Sequence, residues 1–473
     1  MTNSKINILL SIISCFILDR VSYSPYGEFS HYVSIASSFF VFLTLYGILI
    51  NKRVDNIFII SFIGMNWIYF QYPFLLQEKT SYYPRIILEE YIDTIAIYTG
   101  LSIFLIYIGY FFFFNNVKPI SSKSIKISTP KLKQLIYLFI ALSVFYRVGK
   151  VFIPSVIYPL SNLVQILFYS PAITFSLYTL YLIRHKSFPK FSLFHILTIL
   201  FLLTELLYQI STTLFVGVAL FFSGALLVYF LEKKKLPIKQ LIIIGIILLP
   251  IYQTRKYFRF SKHSDKISNV KGLEKGTNIV QSILSDEGEA NFDKYENREK
   301  SFLDTRNRFE NLSFISQVVY HHTKKKRPFL YGETFYWLPL VPIPRILFPS
   351  KPINEMQTKV STSYNLRHKK SNGAINFPML CEAYINFGFL GMLFLALCFG
   401  ISYKWFAMKF GIGMGDLNLI IAINCIKQLI HAEGNITLVF GALIQVFLFW
   451  FILIKVFGID KRLSKEYKEI PNS

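Results

Sequence analysis

Six cations stand out by type and spacing. Arg255 and Arg259 lie four residues apart just after an apolar stretch, so a helix there would carry both on one face. Arg306 and Arg308 follow on a segment with helical apolar spacing. Arg345 and Lys351 flank the prolines of FLYGETFYWLPLVPIPRILFPSKP (329–352). Guanidinium forks bind phosphate oxygens in pairs and keep their charge when desolvated, so a set of this kind could hold a diphosphate. The plainer alternative for each is a solvated or headgroup-contacting charge, and it is the favoured one for the run Lys324, Lys325, Lys326 and Arg327. Glu382, opening the apolar stretch CEAYINFGFLG, is placed to act as a general base toward a hydroxyl or to pair with an arginine. His431 and Glu433 in HAEGN are secondary candidates. Arg147, Lys150, Glu205 and Lys427 are further ionisable groups in or beside apolar stretches, and Glu205 reads best as a structural partner for a neighbouring helix. No GxSxG, HExxH or P-loop pattern occurs, and no DxD-type carboxylate pair marks a metal. Cys15, Cys381, Cys398 and Cys425 form no CxxC pair and read as small apolar packers.

The elements that must position these residues are membrane helices. Of 473 residues, 53% are apolar and 17% aromatic, while only 16% are charged, against about 25% in a soluble protein. The mean hydropathy is +0.44. These figures exclude a soluble enzyme, a disordered chain and a fibre. The apolar residues come in blocks long enough to cross a hydrocarbon core of about 30 Å. Candidate spans fall at 6–18, 32–50, 57–76, 91–114, 134–152, 160–183, 191–210, 213–231, 236–253, 377–403, 410–430 and 436–456, which predicts twelve. The first is short, but no small-residue cleavage site follows it, so it reads as a retained span.

Charge sets the expected orientation. One set of alternate loops, with the tail, holds 22 Lys and Arg, and the short loops of the other set hold 5. That asymmetry places both termini in the cytoplasm. The overall charge of +23 is explained by cytoplasmic loops and by anionic lipid or a lipid-linked substrate before nucleic acid need be invoked. The expected organisation is a membrane domain over 1–253, an outer loop over 254–376, and a second membrane domain with a cytoplasmic tail over 377–473. Within the loop, 261–300 is polar and reads as a mobile cover. The apolar spacing of 301–323 predicts an amphipathic helix at the membrane surface. Pro339, Pro342, Pro344, Pro349 and Pro352 forbid a continuous span over 329–352. Irregular backbone at membrane depth survives only where protein buries it or it lines a wet cavity, so this segment is expected to wall a cavity open to the outer leaflet.

Three stretches carry a resemblance: TRNRFENLSFISQVVYHHT (305–323), then the Gly-x-Thr, Pro-Arg and Pro-x-Lys-Pro order within 329–352, then Glu-Ala-Tyr-x-Asn-Phe-Gly in NFPMLCEAYINFGFLGM (376–392). Together, over about 90 residues, they resemble the bacterial oligosaccharide repeat-unit polymerases, the Wzy-type O-antigen or capsule polymerases. One departure is Phe348, where that family more often carries tryptophan. The resemblance implies an all-α polytopic glycosyltransferase of the bacterial cytoplasmic membrane, similar to the GT-C class and to O-antigen ligases. Its substrates would be undecaprenyl-diphosphate-linked oligosaccharides, used without metal or other cofactor. A chain-length regulator and a flippase are the partners it suggests, and no nucleic acid. On this basis Arg345, Arg255, Arg259, Arg306 and Arg308 would hold the diphosphate, Lys351 would assist, and Glu382 would act on the acceptor hydroxyl. Two alternatives stand beside it: a ligase-type glycan transferase with the same chemistry, and a lipid-linked oligosaccharide flippase or transporter. The second fits less well, because neither an internal repeat nor paired interrupted helices are evident.

Overall fold

The computed structural model describes residues 3–24, 26–51, 56–75, 89–113, 127–153, 170–185, 192–211, 215–233, single positions and short stretches over 235–246, 311–336, 338–341, 343, 348, 350, 356–364, 377–410, 416–429 and 434–455. Every regular element among them is helical. The α-helices are α1 (Asn3–Val21), α2 (Glu28–Leu49), α3 (Ile57–Phe70), α4 (Ile92–Phe112), α5 (Thr129–Phe152), α6 (Ser170–Arg184), α7 (Leu193–Ser211), α8 (Phe215–Lys233), α9 (Leu312–Thr323), α10 (Met356–Ser363), α11 (Met379–Phe410), α12 (Asp416–Leu429) and α13 (Ile436–Lys455). Helices therefore occupy the apolar stretches of the sequence where these are described; 160–169 and most of 236–253 lie outside the described residues. Among the described residues, α2, α4, α5 and α11 are long and apolar enough to cross a membrane, and α3, α7, α12 and α13 contain shorter apolar helical stretches. The chain is an all-helical protein with helices suited to a bilayer.

Two compact units form. The first comprises 1–122, 302–414 and 425–456, and the second 123–301, 415–424 and 457–473. In the first unit α4 and α11 cross at Gly109 and Gly400. A Cβ on Gly109 would strike the Leu397 carbonyl oxygen, and one on Gly400 the Ile106 carbonyl oxygen. Hydrocarbon tails supply no hydrophobic drive between helices, so close backbone approach through small residues is how such helices adhere. Near the start of α4, Tyr98 stacks on Phe389 with centroids 4.0 Å apart. Gln71, buried after α3, donates to the Ala96 carbonyl and accepts from Ser34, which ties α2, α3 and α4 at one end.

In the second unit the ties are ionic. Arg184, ending α6, gives both terminal nitrogens to Asp416 at 2.7 Å and reaches Glu232 of α8 at 2.9 Å. Asp416 also accepts the Ile127 amide at 2.6 Å. Arg147 of α5 pairs with Glu205 of α7 at 3.0 Å, and Ser143 donates to the same carboxylate, as the structural reading of Glu205 expected.

One expectation is corrected. A helix does begin at Leu312, but it does not lie on a surface. Leu312, Phe314, Ile315, Val318 and Val319 are buried, and so are Ser313, Ser316, His321 and His322 on its polar side. It packs against α4 and α11, so the amphipathic pattern marks a helix held inside protein.

Candidate functional site

The site is built on a broken helix. At Gly388, α11 takes φ 69° and ψ −162°, a region open essentially to glycine alone. A Cβ there would also sit 2.8 Å from Phe329 Cζ. An unbroken helix would give the carbonyls of Ile385 and Asn386 to amides four residues on. Here they accept instead from the amides of Leu330 (3.1 Å) and Tyr331 (3.0 Å). The chain after α9 is thus laid against the opening in α11.

Asn386 locks this arrangement. Its Oδ1 accepts the Gly332 amide at 2.9 Å, and its Nδ2 donates to Thr334 Oγ1 and to the Glu382 carbonyl, both at 2.8 Å. Asn386 is fully buried, and Glu382, one turn earlier, is 3% exposed. Glu382 Oε2 accepts the Ile436 amide at 2.6 Å, so the carboxyl group caps α13. The Thr334 hydroxyl donates to it as well. Asn435 completes the cap by accepting the Leu438 amide at 2.7 Å. With these donors in place, Glu382 is an anchor that joins α11, α13 and the intervening segment. These two donors take part of the carboxylate's acceptor capacity and give Glu382 a positioning role beside its candidacy as a base.

From Thr334 the chain descends along α13. Thr437 donates to the Thr334 carbonyl at 3.1 Å. Val341 packs on Gly441, where a Cβ would lie 2.9 Å from Val341 Cβ, and Gln445 donates to the Val341 carbonyl at 3.1 Å. Thr437, Gly441 and Gln445 are spaced by four, so they form one face of α13. Eight residues of helix rise about 12 Å. The segment therefore dips beside an apolar helix without being helical, apart from the turns Glu333–Phe335 and Leu338–Leu340. It is an irregular stretch laid along α13, and side chains of that helix hold the Thr334 and Val341 carbonyls.

A second polar cluster adjoins it. Tyr364 OH and His322 Nε2 lie 2.8 Å apart, and His322 Nδ1 is 2.8 Å from the Arg327 carbonyl. A carbonyl only accepts, so Nδ1 carries the proton and Nε2 accepts from Tyr364. The His322 ring stacks on Phe329 at 4.4 Å, and Arg327 lies over the Tyr364 ring while donating to the Ser363 carbonyl at 2.6 Å. Burial pushes His321 down to about 4, helped by the positive charges of Lys325 and Arg327. Burial also lowers His322 and pushes Tyr364 up to about 12. These values keep the cluster neutral, although a helix C-terminus by itself would favour protonated histidine.

Of the residues singled out by sequence, Glu382 is the one the structure describes at the site. Arg255, Arg259, Arg306, Arg308, Arg345, Lys351, His431 and Glu433 lie outside the described residues. No family model matches the chain, and no curated protein or solved structure matches it. Sequence reasoning missed Asn386, Gln445 and the pair His321–His322. It also treated the cationic run at 324–327 as one solvated patch, whereas Lys324, Lys325 and Lys326 are exposed and Arg327 turns inward. The signals were present: an Asn-Phe-Gly stop inside an apolar helix, and a glutamine one turn beyond a glycine in another. Among the described residues, no three metal-binding side chains come together.

Proposed function

We propose that this chain is a membrane glycosyltransferase that polymerises oligosaccharide units carried on undecaprenyl diphosphate, at the outer face of a bacterial cytoplasmic membrane. The reading rests on the resemblance, and one observation supports it most. The Gly332–Thr334 stretch and the Glu382–Gly388 stretch both carry family-like residues, and they are hydrogen-bonded to one another through Asn386. Residues 48 to 56 positions apart in sequence thus act as a single structural unit beside the irregular segment that leads to Arg345. In this reading the chain has twelve spans, a GT-C-like architecture and cytoplasmic termini.

The chemistry follows from the groups assigned. The acceptor sugar's hydroxyl oxygen attacks the anomeric carbon of the donor glycan. The bond from that carbon to the lipid diphosphate breaks, and the diphosphate leaves with the electron pair. Arg345, Arg255, Arg259, Arg306 and Arg308, with Lys351, hold the developing negative charge. The hydroxyl proton passes to water or to a nearby base, for which His431 and Glu433 are candidates. Glu382 keeps α11, α13 and the segment between them in register.

The deciding experiment combines a deletion strain with purified lipid-linked units. Complementation should restore a ladder of chain lengths, and Arg345→Ala should abolish it while the protein stays in the membrane. Activity on purified units should survive EDTA. Glu382→Gln keeps an acceptor for the Ile436 amide and should retain activity, whereas loss of activity in a normally folded Gln variant would identify Glu382 as the base. A deletion strain that accumulates full-length unattached glycan would point to the ligase-type reaction instead.

A further inference from the structure

We infer that the stretch from Tyr331 to Ile343 is seated on the bilayer, with the Tyr331 and Tyr336 rings at the lipid headgroup level and Ile343 deeper. This rests only on α11 lying in a membrane and is independent of the glycan chemistry.

Three observations carry it. Tyr331 is 77% exposed yet held at φ 45°, followed by Gly332 at φ 92°. A bulky residue in that conformation is costly and persists only when its surroundings over-determine it. They do so here: the Tyr331 and Gly332 amides are bound by Asn386, and the Glu333 amide by the Leu330 carbonyl at 2.9 Å. A glycine would fit the position without strain, so what the strain preserves is a ring directed outward.

Leu390 and Phe394, four apart on α11 after its break, form an apolar stripe exposed at 77% and 65%, and Phe387 just before the break is exposed at 38%. The turn meets Phe387, whose Cζ is 3.4 Å from where a Gly332 Cβ would lie and whose ring is 5.9 Å from that of Phe335. Tyr336, at 71%, is the second exposed phenol. Tyrosines prefer the zone where a span's apolar face ends and headgroups begin, since one end of the ring is apolar and the hydroxyl is wet. Beyond them the chain descends beside Gly441 and Gln445, leaving Ile343 exposed below the belt. Continuity with the stripe favours lipid over a water-borne ligand as the occupant of this surface.

The test uses the full chain in phosphatidylcholine–phosphatidylglycerol vesicles. Tyr331→Cys, Tyr336→Cys, Ile343→Cys and two references, Leu390→Cys and Lys325→Cys, are spin-labelled in a background with the four native cysteines changed to alanine. Oxygen-to-nickel-chelate accessibility should rise from Lys325 through 331 and 336 to 343, with 390 well above Lys325. In parallel, Tyr331→Trp in the otherwise native chain should be quenched beyond wild type by lipids brominated near the headgroup. The inference is overturned if labels at 331, 336 and 343 match Lys325 while Leu390 remains in lipid. If Leu390 also reads as aqueous, the placement of α11 falls first and the inference with it.

Discussion

The two units bury polar groups for opposite reasons. In the second unit, charges neutralise one another between regular helices: Arg184 with Asp416 and Glu232, and Arg147 with Glu205. In the first, buried polar side chains serve backbone that has left the helix. Asn386, Glu382, Thr437 and Gln445 each bond a main-chain amide or carbonyl exposed by the break at Gly388, by the start of α13 or by the irregular segment. An ion pair between intact helices adds adhesion and leaves geometry unchanged. A side chain bonded to broken backbone fixes a shape that apolar packing alone would not choose. Strain and irregularity concentrated in one region are what mark it as the candidate site.

The comparison is broken most forcefully from the ionic side. Removing Asp416 leaves half-buried Arg184 with Glu232 alone and the Ile127 amide without its acceptor. Asp416→Ala should cost about 3 kcal/mol in thermal or denaturant unfolding of the solubilised protein. The Arg184→Ala/Asp416→Ala double variant should be more stable than the sum of the singles predicts, by about 1 kcal/mol or more. Strict additivity would mean that the two residues do not act as a pair.

Gly388→Ala attacks the other region. It places a Cβ against Phe329 and asks alanine for a conformation that it disfavours. A loss of about 2–3 kcal/mol is expected. Cleavage by protease within 329–335 should rise in parallel. A stable variant that resists protease would show that α11 can close its break without cost.

How much of this was legible beforehand differs between the regions. Apolar blocks gave the helices, and Glu205 was recognised as a structural partner because a lone carboxylate in an apolar helix needs a cation. The proline density of 329–352 announced backbone without a continuous helix, and among the described residues of that stretch only the short turns Glu333–Phe335 and Leu338–Leu340 are helical. What was not legible is which polar group meets which backbone atom. Asn386 and Gln445 each lie among apolar residues, and their partners are 52–54 and 104 positions away. Nothing in local periodicity encodes such a pairing. The buried polar side of α9 misled for a related reason, since serines and histidines that face protein give the same 3.6-residue pattern as ones that face water.

Asn386→Ala sharpens the contrast further. It deprives the Gly332 amide, the Thr334 hydroxyl and the Glu382 carbonyl of a partner at once. About 2 kcal/mol should be lost, and the chain-length ladder should shorten or vanish even where the protein is retained in the membrane. Gln445→Leu removes a single bond to the Val341 carbonyl and should cost about 1 kcal/mol, as is usual for a hydrogen bond between membrane helices. A neutral or stabilising Leu variant would show that the irregular segment is held by packing on Gly441 alone.

The smallest effect expected is a pH response, and it separates the regions by kind. His321 is held at about 4, below its ordinary value near 6.5, because burial and nearby cations disfavour the charged form. Above about pH 6.5 both folded and unfolded chains are neutral there, and the full stability is present. As pH falls from 6.5 toward 4, the unfolded chain binds the proton first, so stability is lost through that window. Between pH 7 and 6 the loss should be about half a kcal/mol. His321→Phe removes the titrating group and should flatten this part of the profile, read as melting temperature against pH. Parallel profiles for variant and wild type would mean that the acid sensitivity arises elsewhere and that His321 contributes none of it.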